Sequence, residues 1–165
     1  MHEAAQCQTK DGSLVEEVFG AVTFKETAAI KRGNALEKYV VDEVSRVKNL
    51  KIKGSGLFLN NKWPMPGASP DGNTDDYVVE IKCPYKQNTV RQYYNNGKLG
   101  KKYYAQMQTQ MQITRKSKGL FGIAHVNFET SKNIDVHEVL YNENYCDNLV
   151  EKCVTFGRIL AEKQA

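Results

Sequence analysis

Three residues near the middle of the chain, Asp71, Glu80 and Lys82, have the types and spacing that metal-assisted phosphodiester hydrolysis requires. Asp71 and Gly72 form a turn signal, and residues 77–82 alternate as in a strand, which places Glu80 and Lys82 on one face. Two carboxylates can hold Mg²⁺, which prefers oxygen ligands, polarises a phosphoryl oxygen and acidifies water. The lysine would orient that water or neutralise charge that develops on the phosphate.

The turn at Asp71 and the Glu-x-Lys pattern at 80–82 each have a simpler explanation when taken alone. A Pro-Asp-Gly sequence, as at 70–72, is far more often an ordinary turn than a site, and a Glu-x-Lys on a strand is usually a solvated face. Their order and spacing together favour a site, because a turn seldom brings a carboxylate beside such a strand by chance.

The positive charge of the chain is concentrated in one segment. The formal net charge is only +4, yet the segment from Ile81 to Phe128 holds nine Lys and Arg residues, five interleaved tyrosines and no Asp or Glu. A charge run is often no more than a solvated face. Because this one directly follows the predicted metal strand, it indicates a track for a phosphate backbone. The residues predicted to bind DNA are Arg91, Lys98, Lys101, Lys102, Tyr103, Arg115 and Lys116.

Hydrophobic periodicity predicts the elements that position these residues. Residues 24–47 carry an apolar stripe at helical spacing, formed by Leu36, Val40, Val44 and Val47. Further helices are predicted at 103–114 and 143–162, and further strands at 51–60, 119–128 and 134–141. Residues 63–68 are predicted to be a connection, and the polar segment 88–102 a mobile loop.

The composition is that of an ordinary globular protein, with 41% hydrophobic and 25% charged residues. A length of 165 residues predicts a single domain over 1–165. The sequence has no apolar run of signal-peptide or transmembrane type, so we expect an intracellular protein, in a bacterial cytoplasm or a eukaryotic nucleus. The four cysteines form no C-x-x-C pair, which argues against structural zinc.

Four motifs follow one another along the chain: R-G-N-A-L-E at 32–37, A-S-P-D-G at 68–72, E-I-K-C-P at 80–84 and Y-Y-A-Q-M-Q at 103–108. In this order they resemble the PD-(D/E)XK nuclease superfamily and, more narrowly, the YqaJ-type viral recombinase family of the phage lambda exonuclease. The resemblance covers about residues 24–162. It implies an α/β fold with a restriction-endonuclease-like core, which is a central mixed β-sheet flanked by helices. Residues 1–23 would be a shortened N-terminal segment without the family's 5′-phosphate arginine, so we expect similar rates on 5′-phosphorylated and 5′-hydroxyl ends.

Position within the motifs also implies the roles of individual residues. The resemblance assigns five side chains to catalysis, Glu37, Asp71, Glu80, Lys82 and Gln106. Asp71, Glu80 and the backbone carbonyl of Ile81 would bind Mg²⁺, for which Mn²⁺ can substitute. Gln106 would touch the lysine, the attacking water or the substrate phosphate.

Glu37 has a second explanation that the sequence leaves open. It borders the apolar face of the helix predicted at 24–47, where a carboxylate needs a partner. Either Arg32 or Lys38 pairs with it, or it points into the metal site.

The activity implied by the resemblance is that of a Mg²⁺-dependent DNA nuclease, an exonuclease on linear duplex DNA that acts in recombination. The implied partners are DNA, further copies of the same chain (a trimer in some relatives) and a single-strand annealing protein, with no membrane partner. Two alternatives stay open at this point. One is a structure-specific endonuclease, and the other is a DNA-binding module that keeps the fold without turnover.

Overall fold

A computed structural model describes the backbone of residues 26–60 and 63–164, and the side chains of 26–59 and 67–158. The chain divides into two compact units, one of residues 26–141 and another whose described part is 142–164. The helices of the first unit are α1 (Ala28–Lys48), α2 (Gln87–Tyr93), α3 (Lys101–Thr114) and α4 (Phe128–Ser131). Its strands are β1 (Phe58–Asn60), β2 (Trp63–Ala68), β3 (Gly72–Asn73), β4 (Tyr77–Lys82), β5 (Tyr94–Asn95), β6 (Lys98–Leu99), β7 (Lys118–Ala124) and β8 (Ile134–Leu140).

The second unit contains helix α5 (Glu143–Gln164), close to the helix predicted at 143–162. Leu149 and Phe156, two members of its predicted core face, are buried. The single domain over 1–165 stays a prediction, and the N-terminal segment 1–23 lies outside the described residues. No described helix has the length and apolar character that crossing a membrane would need.

A mixed sheet of four strands, in the order β3-β4-β7-β8, forms the centre of the first unit. β4 and β7 are parallel, with Tyr77 opposite Lys118 and Lys82 opposite Ile123, whereas β3 and β8 run antiparallel to their neighbours. A parallel pair needs a crossover connection, and α3 lies in that connection. The carboxyl ends of β4 and β7 therefore meet at one edge of the sheet, where Lys82 lies.

The sheet is covered on both faces, and the alternation of β4 assigns its side chains to the two cores. Val79 and Ile81 pack with Val40 and Val44 of α1 on one face. Val78 packs with Met107, Met111 and other residues of α3 and β7 on the opposite face. α3 approaches β7 so closely that a Cβ at Gly119 would collide with the methyl group of Met107. The predicted alternation of residues 77–82 is confirmed, with Glu80 and Lys82 on the α3 face.

Helix α1 begins and ends where local chemistry predicts. The Thr27 hydroxyl accepts a hydrogen bond from Ile30 N at 3.3 Å, a side-chain N-cap, and Asn49 ends the helix in the left-handed region with φ 51°. Val40 and Val44 of the predicted stripe are fully buried, but Val47 is 50% exposed. Val47 lies on the last turn of α1, beyond the part that covers the sheet.

Two predictions around β1 were wrong. Residues 51–60 form a strand only at Phe58–Asn60, although Lys53 makes an isolated bridge to Asn73. Residues 63–68, predicted to be a connection, form β2, which pairs antiparallel with β1. Gly54 and Gly56 have no side chains to pack and so weaken a strand, and β1 begins only after them.

The prediction of a mobile loop at 88–102 was also wrong. This segment contains α2, a hairpin of β5 and β6, and the first turn of α3. Asn96 and Gly97 form the two-residue turn of the hairpin, with φ of 50° and 76°, and asparagine and glycine tolerate these values best. The ring of Tyr94 stacks on His137 of β8 at a centroid distance of 3.6 Å, which fixes the hairpin against the sheet.

Candidate active site

Asp71 contacts the C-terminal part of β4, because β3 does not extend along that part. β3 pairs only with Val78 and Val79, so the following residues of β4 lack a strand neighbour on that side. The Oδ2 atom of Asp71 accepts a hydrogen bond from Ile81 N at 2.7 Å and so replaces the missing strand. This hydrogen bond joins the turn at Asp71 to β4 beside Glu80, where the sequence predicts that the carboxylates of Asp71 and Glu80 come close together.

The environment of Asp71 disfavours its negative charge. Burial is the largest cause and, with the charges of Glu80 and Glu37, raises the pKa of the Asp71 carboxyl to about 7. The hydrogen bond from Ile81 N and the ammonium of Lys82 act in the opposite direction and lower this pKa, but they do not outweigh burial. The site thus concentrates negative charge in a place shielded from water.

Glu80 is buried, with 3% of its surface exposed, and three side-chain donors surround its carboxylate. Oε1 accepts from Lys82 Nζ at 2.5 Å and from Gln106 Nε2 at 2.7 Å. Oε2 accepts from Gln110 Nε2 at 2.7 Å. Charge-assisted hydrogen bonds of this kind make it possible to bury a carboxylate. Gln106 and Gln110 are four residues apart and so share the face of α3 that meets β4.

Lys82 lies under aromatic rings from the segment that follows it. Its ammonium is 5.8 Å from the ring centroid of Tyr103, within the range of a cation–π contact. Tyr103 packs edge-to-face on Tyr93 with centroids 4.8 Å apart, and its ring lies 6.0 Å from that of Phe121. With 21% of its side chain exposed, Lys82 is reachable from solvent.

Glu37 is exposed on α1, and within the described part of the chain neither Arg32 nor Lys38 pairs with it. Its charge is among the causes that raise the pKa of Asp71, which relates it electrostatically to the site. Arg32 instead donates to both carboxylate oxygens of Glu129 at 2.8 Å and to the Pro84 carbonyl at 2.7 Å. The ion pairs considered for Glu37 are therefore not formed, and its catalytic role stays a prediction.

The carboxylate oxygens of Asp71 and Glu80 suit Mg²⁺ better than a metal that needs three or more side-chain ligands. The described ranges contain no group of three or more His, Cys, Asp and Glu side chains that could hold a metal. Mg²⁺ keeps several waters and often uses only one or two carboxylates, and in this site those of Asp71 and Glu80 would be available to it. Burial first, and then the charge of Glu80, raise the pKa of Asp71, and a bound cation would oppose both effects. Ligation by the Ile81 carbonyl stays a prediction.

The predicted DNA-binding residues fall into two groups. Four exposed cations lie between β4 and the first turn of α3, and we call them the basic approach: Arg91, Lys98, Lys101 and Lys102. Arg115 and Lys116 follow the other end of α3, about 21 Å away along a helix of this length. Lys116 Nζ donates to the Asp75 carbonyl at 2.8 Å, on the turn before β4. The basic approach and Tyr103 thus lie at the end of α3 that carries Gln106. Arg115 and Lys116 lie at the opposite end.

Two contacts of the site were missed by sequence reasoning. For Gln110, the spacing of four residues from Gln106 was the available signal. Arg32 was considered only as a partner of Glu37. No local pattern predicts its actual partners, because Pro84 and Glu129 are 52 and 97 residues away.

Comparison with known families identifies the same family that the sequence motifs resemble. Residues 4–117 match the YqaJ-like viral recombinase domain, so the chain belongs to that family. The match begins 20 residues earlier than the predicted start of the resemblance at 24, and it ends before the predicted limit at 162. No curated protein matches the chain significantly.

Solved structures with similar folds include exonucleases. An alkaline exonuclease from Laribacter hongkongensis is 23% identical, with a TM-score of 0.79, and the match covers 98% of this chain and 87% of the other. Its complex with dAMP gives 22% identity, a TM-score of 0.80 and the same coverage. A phage-related exonuclease from Haemophilus somnus 129PT gives 13% identity and a TM-score of 0.71, with 98% and 81% covered. These likenesses confirm the predicted restriction-endonuclease-like fold.

Proposed function

We propose that this chain is a Mg²⁺-dependent deoxyribonuclease, acting as an exonuclease on linear double-stranded DNA. The observation that carries the proposal is that Asp71 is bonded to Ile81 N, between Glu80 and Lys82, and that its carboxyl interacts electrostatically with both of these residues. The fold shared with an alkaline exonuclease and a phage-related exonuclease supports the same reaction class. Membership of a viral recombinase family supports a role in DNA recombination.

Asp71 and Glu80 would hold the metal, and the surrounding residues prepare them for it. Mg²⁺ bound there supplies Lewis-acid polarisation of a phosphoryl oxygen and acidifies water. The Ile81 N–H fixes the orientation of Asp71, and Gln106 and Gln110 keep the Glu80 carboxylate in place. Because these contacts exist before substrate arrives, little reorganisation is needed when DNA binds.

Lys82 is the residue that we assign to the phosphate or the attacking water. Its ammonium is partly exposed, and it contacts Glu80 Oε1 while no phosphate is bound. In the transition state it would neutralise charge on the phosphoryl oxygens or orient the attacking water. Gln106, which shares Oε1 with Lys82, is half-buried and can present its amide to the same water or phosphate.

The basic approach would guide DNA to this end of α3. Its four cations are exposed and lie on the segment that connects β4 to α3, next to Tyr103. Contacts of this kind bind the backbone of any sequence and release counterions. Such an enzyme would work where linear DNA is processed, in a bacterial cytoplasm or a nucleus. Assembly with further copies of the chain and with a single-strand annealing protein stay predictions.

Incubation with linear and covalently closed circular duplex DNA tests the proposal, in Mg²⁺, in Mn²⁺ and in EDTA. We expect loss of the linear form alone, in either metal, and none in EDTA. Cutting of the closed circle would instead indicate a structure-specific endonuclease. DNA binding without any loss of either form would indicate a non-catalytic module and would refute the proposal.

A further inference from the structure

The two oxygens of the Glu80 carboxylate are held in different ways. Oε1 is shared by Lys82 and Gln106, neither of which is fully buried. Oε2 receives the amide of Gln110, and only 3% of that residue is exposed. One edge of the carboxylate therefore faces groups that substrate can reach, and the other faces a single buried donor.

Gln110 occupies its position at a cost. Its Oε1 atom is buried and has no hydrogen-bond partner among the described residues. An unpaired buried acceptor is unfavourable, and a methionine of similar volume would avoid that cost. The amide of Gln110 is thus explained by its donor, which is directed at Glu80 Oε2, rather than by packing.

The donors at Oε1 have a second task in the proposed reaction. Lys82 and Gln106 are the groups assigned above to the phosphate and the water, and contacts with these draw them away from Oε1. Gln110 lies one helical turn further along α3, beneath the site, and its contact does not depend on substrate. When Lys82 and Gln106 both turn to substrate, Gln110 is the side-chain donor that still holds the Glu80 carboxylate.

We propose that Gln110 is a positioning residue, which holds Glu80 Oε2 so that the carboxylate keeps its metal-binding orientation. The inference rests on the proposed function, because it takes Glu80 as a ligand of Mg²⁺. Partners that orient metal ligands typically change metal affinity by about 10- to 100-fold when they are removed. The expected effect is therefore on metal binding, before any DNA is present.

The matched control lies two residues away on the same helix. Gln108 is also fully buried, but its Nε2 donates to the Leu140 carbonyl at 2.8 Å rather than to the site. Gln108→Met and Gln110→Met make the same chemical change in the same helix at similar burial. Loss of packing or helix stability would affect both variants, whereas loss of the Glu80 orientation affects only one.

The experiment measures Mn²⁺ binding to the full chain by calorimetry without DNA, and then the Mg²⁺ concentration that gives half-maximal cleavage. We expect Gln110→Met to weaken Mn²⁺ binding and to raise the Mg²⁺ requirement by about 10-fold or more, with Gln108→Met within about two-fold of wild type. If Gln110→Met does not fold, Gln110→Asn asks the same question, because its amide is one methylene too short to reach Oε2.

Two results would overturn the inference alone. In the first, Gln108→Met and Gln110→Met weaken Mn²⁺ binding equally. In the second, the wild type binds Mn²⁺ and cleaves DNA, and a folded Gln110 variant binds Mn²⁺ as tightly as the wild type does. A wild type that binds no Mn²⁺ and cleaves no DNA would overturn the proposed function together with the inference. The wild-type measurement therefore separates the two failures.

Discussion

Replacing Asp71 with asparagine should stabilise the metal-free protein while removing a ligand of the proposed metal site. The pKa of Asp71 is about 7 in the folded chain and 3.8 in the reference state, so ionising it costs the fold up to about 4 kcal/mol above pH 8. Asparagine is neutral and similar in shape, and its side-chain oxygen can still accept the Ile81 N–H. The variant should therefore avoid most of that cost.

The sign of the pH dependence follows from the direction of the shift. Because the folded chain binds the proton of Asp71 more tightly, this group favours folding at low pH, and stability is lost as pH rises from about 3.8 to 7. The asparagine variant has no such loss. Its stability advantage should increase by about 2–3 kcal/mol between pH 5 and pH 8. For a chain of this size this corresponds to about 6–9 °C in Tm.

Thermal melts followed by circular dichroism in EDTA, at several pH values between 5 and 8, measure this difference. Asp76→Asn is the matched control, because Asp76 is an exposed carboxylate in the turn before β4. Its difference from wild type should stay within about 0.5 kcal/mol at every pH. Adding Mg²⁺ at pH 8 should stabilise wild type and not Asp71→Asn. A difference that is constant or decreases with pH would refute the account of Asp71 as a buried carboxylate without a compensating cation.

Three further predictions concern catalysis, DNA binding and the fold. Lys82→Ala should reduce cleavage by at least about 100-fold with nearly unchanged DNA affinity in a filter-binding assay, because the lysine acts on transition-state charge; equal loss of binding would argue against this role. Replacing Lys98, Lys101 and Lys102 together by alanine should weaken DNA binding. The slope of log binding constant against log salt concentration should fall in magnitude by about 0.9 for each lost phosphate contact. An unchanged slope would exclude these lysines from the DNA path. Arg32→Lys should lower the free energy of unfolding by about 2–3 kcal/mol in a denaturant titration, since lysine cannot reproduce contacts to both Pro84 and Glu129. Arg46→Lys is the control, because the Arg46 side chain is 72% exposed in its ion pair with Glu43, and it should leave the free energy of unfolding nearly unchanged; similar losses in both variants would contradict the role of Arg32.

The sequence predicts the placement of Asp71, Glu80 and Lys82 because the geometry that relates them is local. Alternation along β4 places Glu80 and Lys82 together, and a turn signal only nine residues before Glu80 brings in Asp71. The spacing of α3 likewise predicts that Gln106 and Gln110 share a face. Which face of α3 meets Glu80 depends on packing between helix and sheet, so the contact of Gln110 was not predicted.

The errors fall on short elements and on distant contacts. β5 and β6 have two residues each, too few for periodicity to be detected, although Asn96-Gly97 is a strong hairpin signal. The polar composition of 88–102 concealed the fold of this segment, which is stabilised by the stacking of Tyr94 on His137. The partners of Arg32 depend on the assembled ends of β4 and β7, and these ends come together only in the tertiary structure.

The hairpin formed by β5 and β6 offers a place to attach probes or new modules. Its tip, residues 95–98, is exposed throughout, and the turn at Asn96 and Gly97 lies outside both cores. The anchors of the hairpin, Tyr94 and the Gly100 N–H bonded to the Tyr93 carbonyl, are at its base. If DNA passes the basic approach as proposed, a fluorophore at residue 96 would report it, and a short peptide inserted there would extend this surface without entering the sheet.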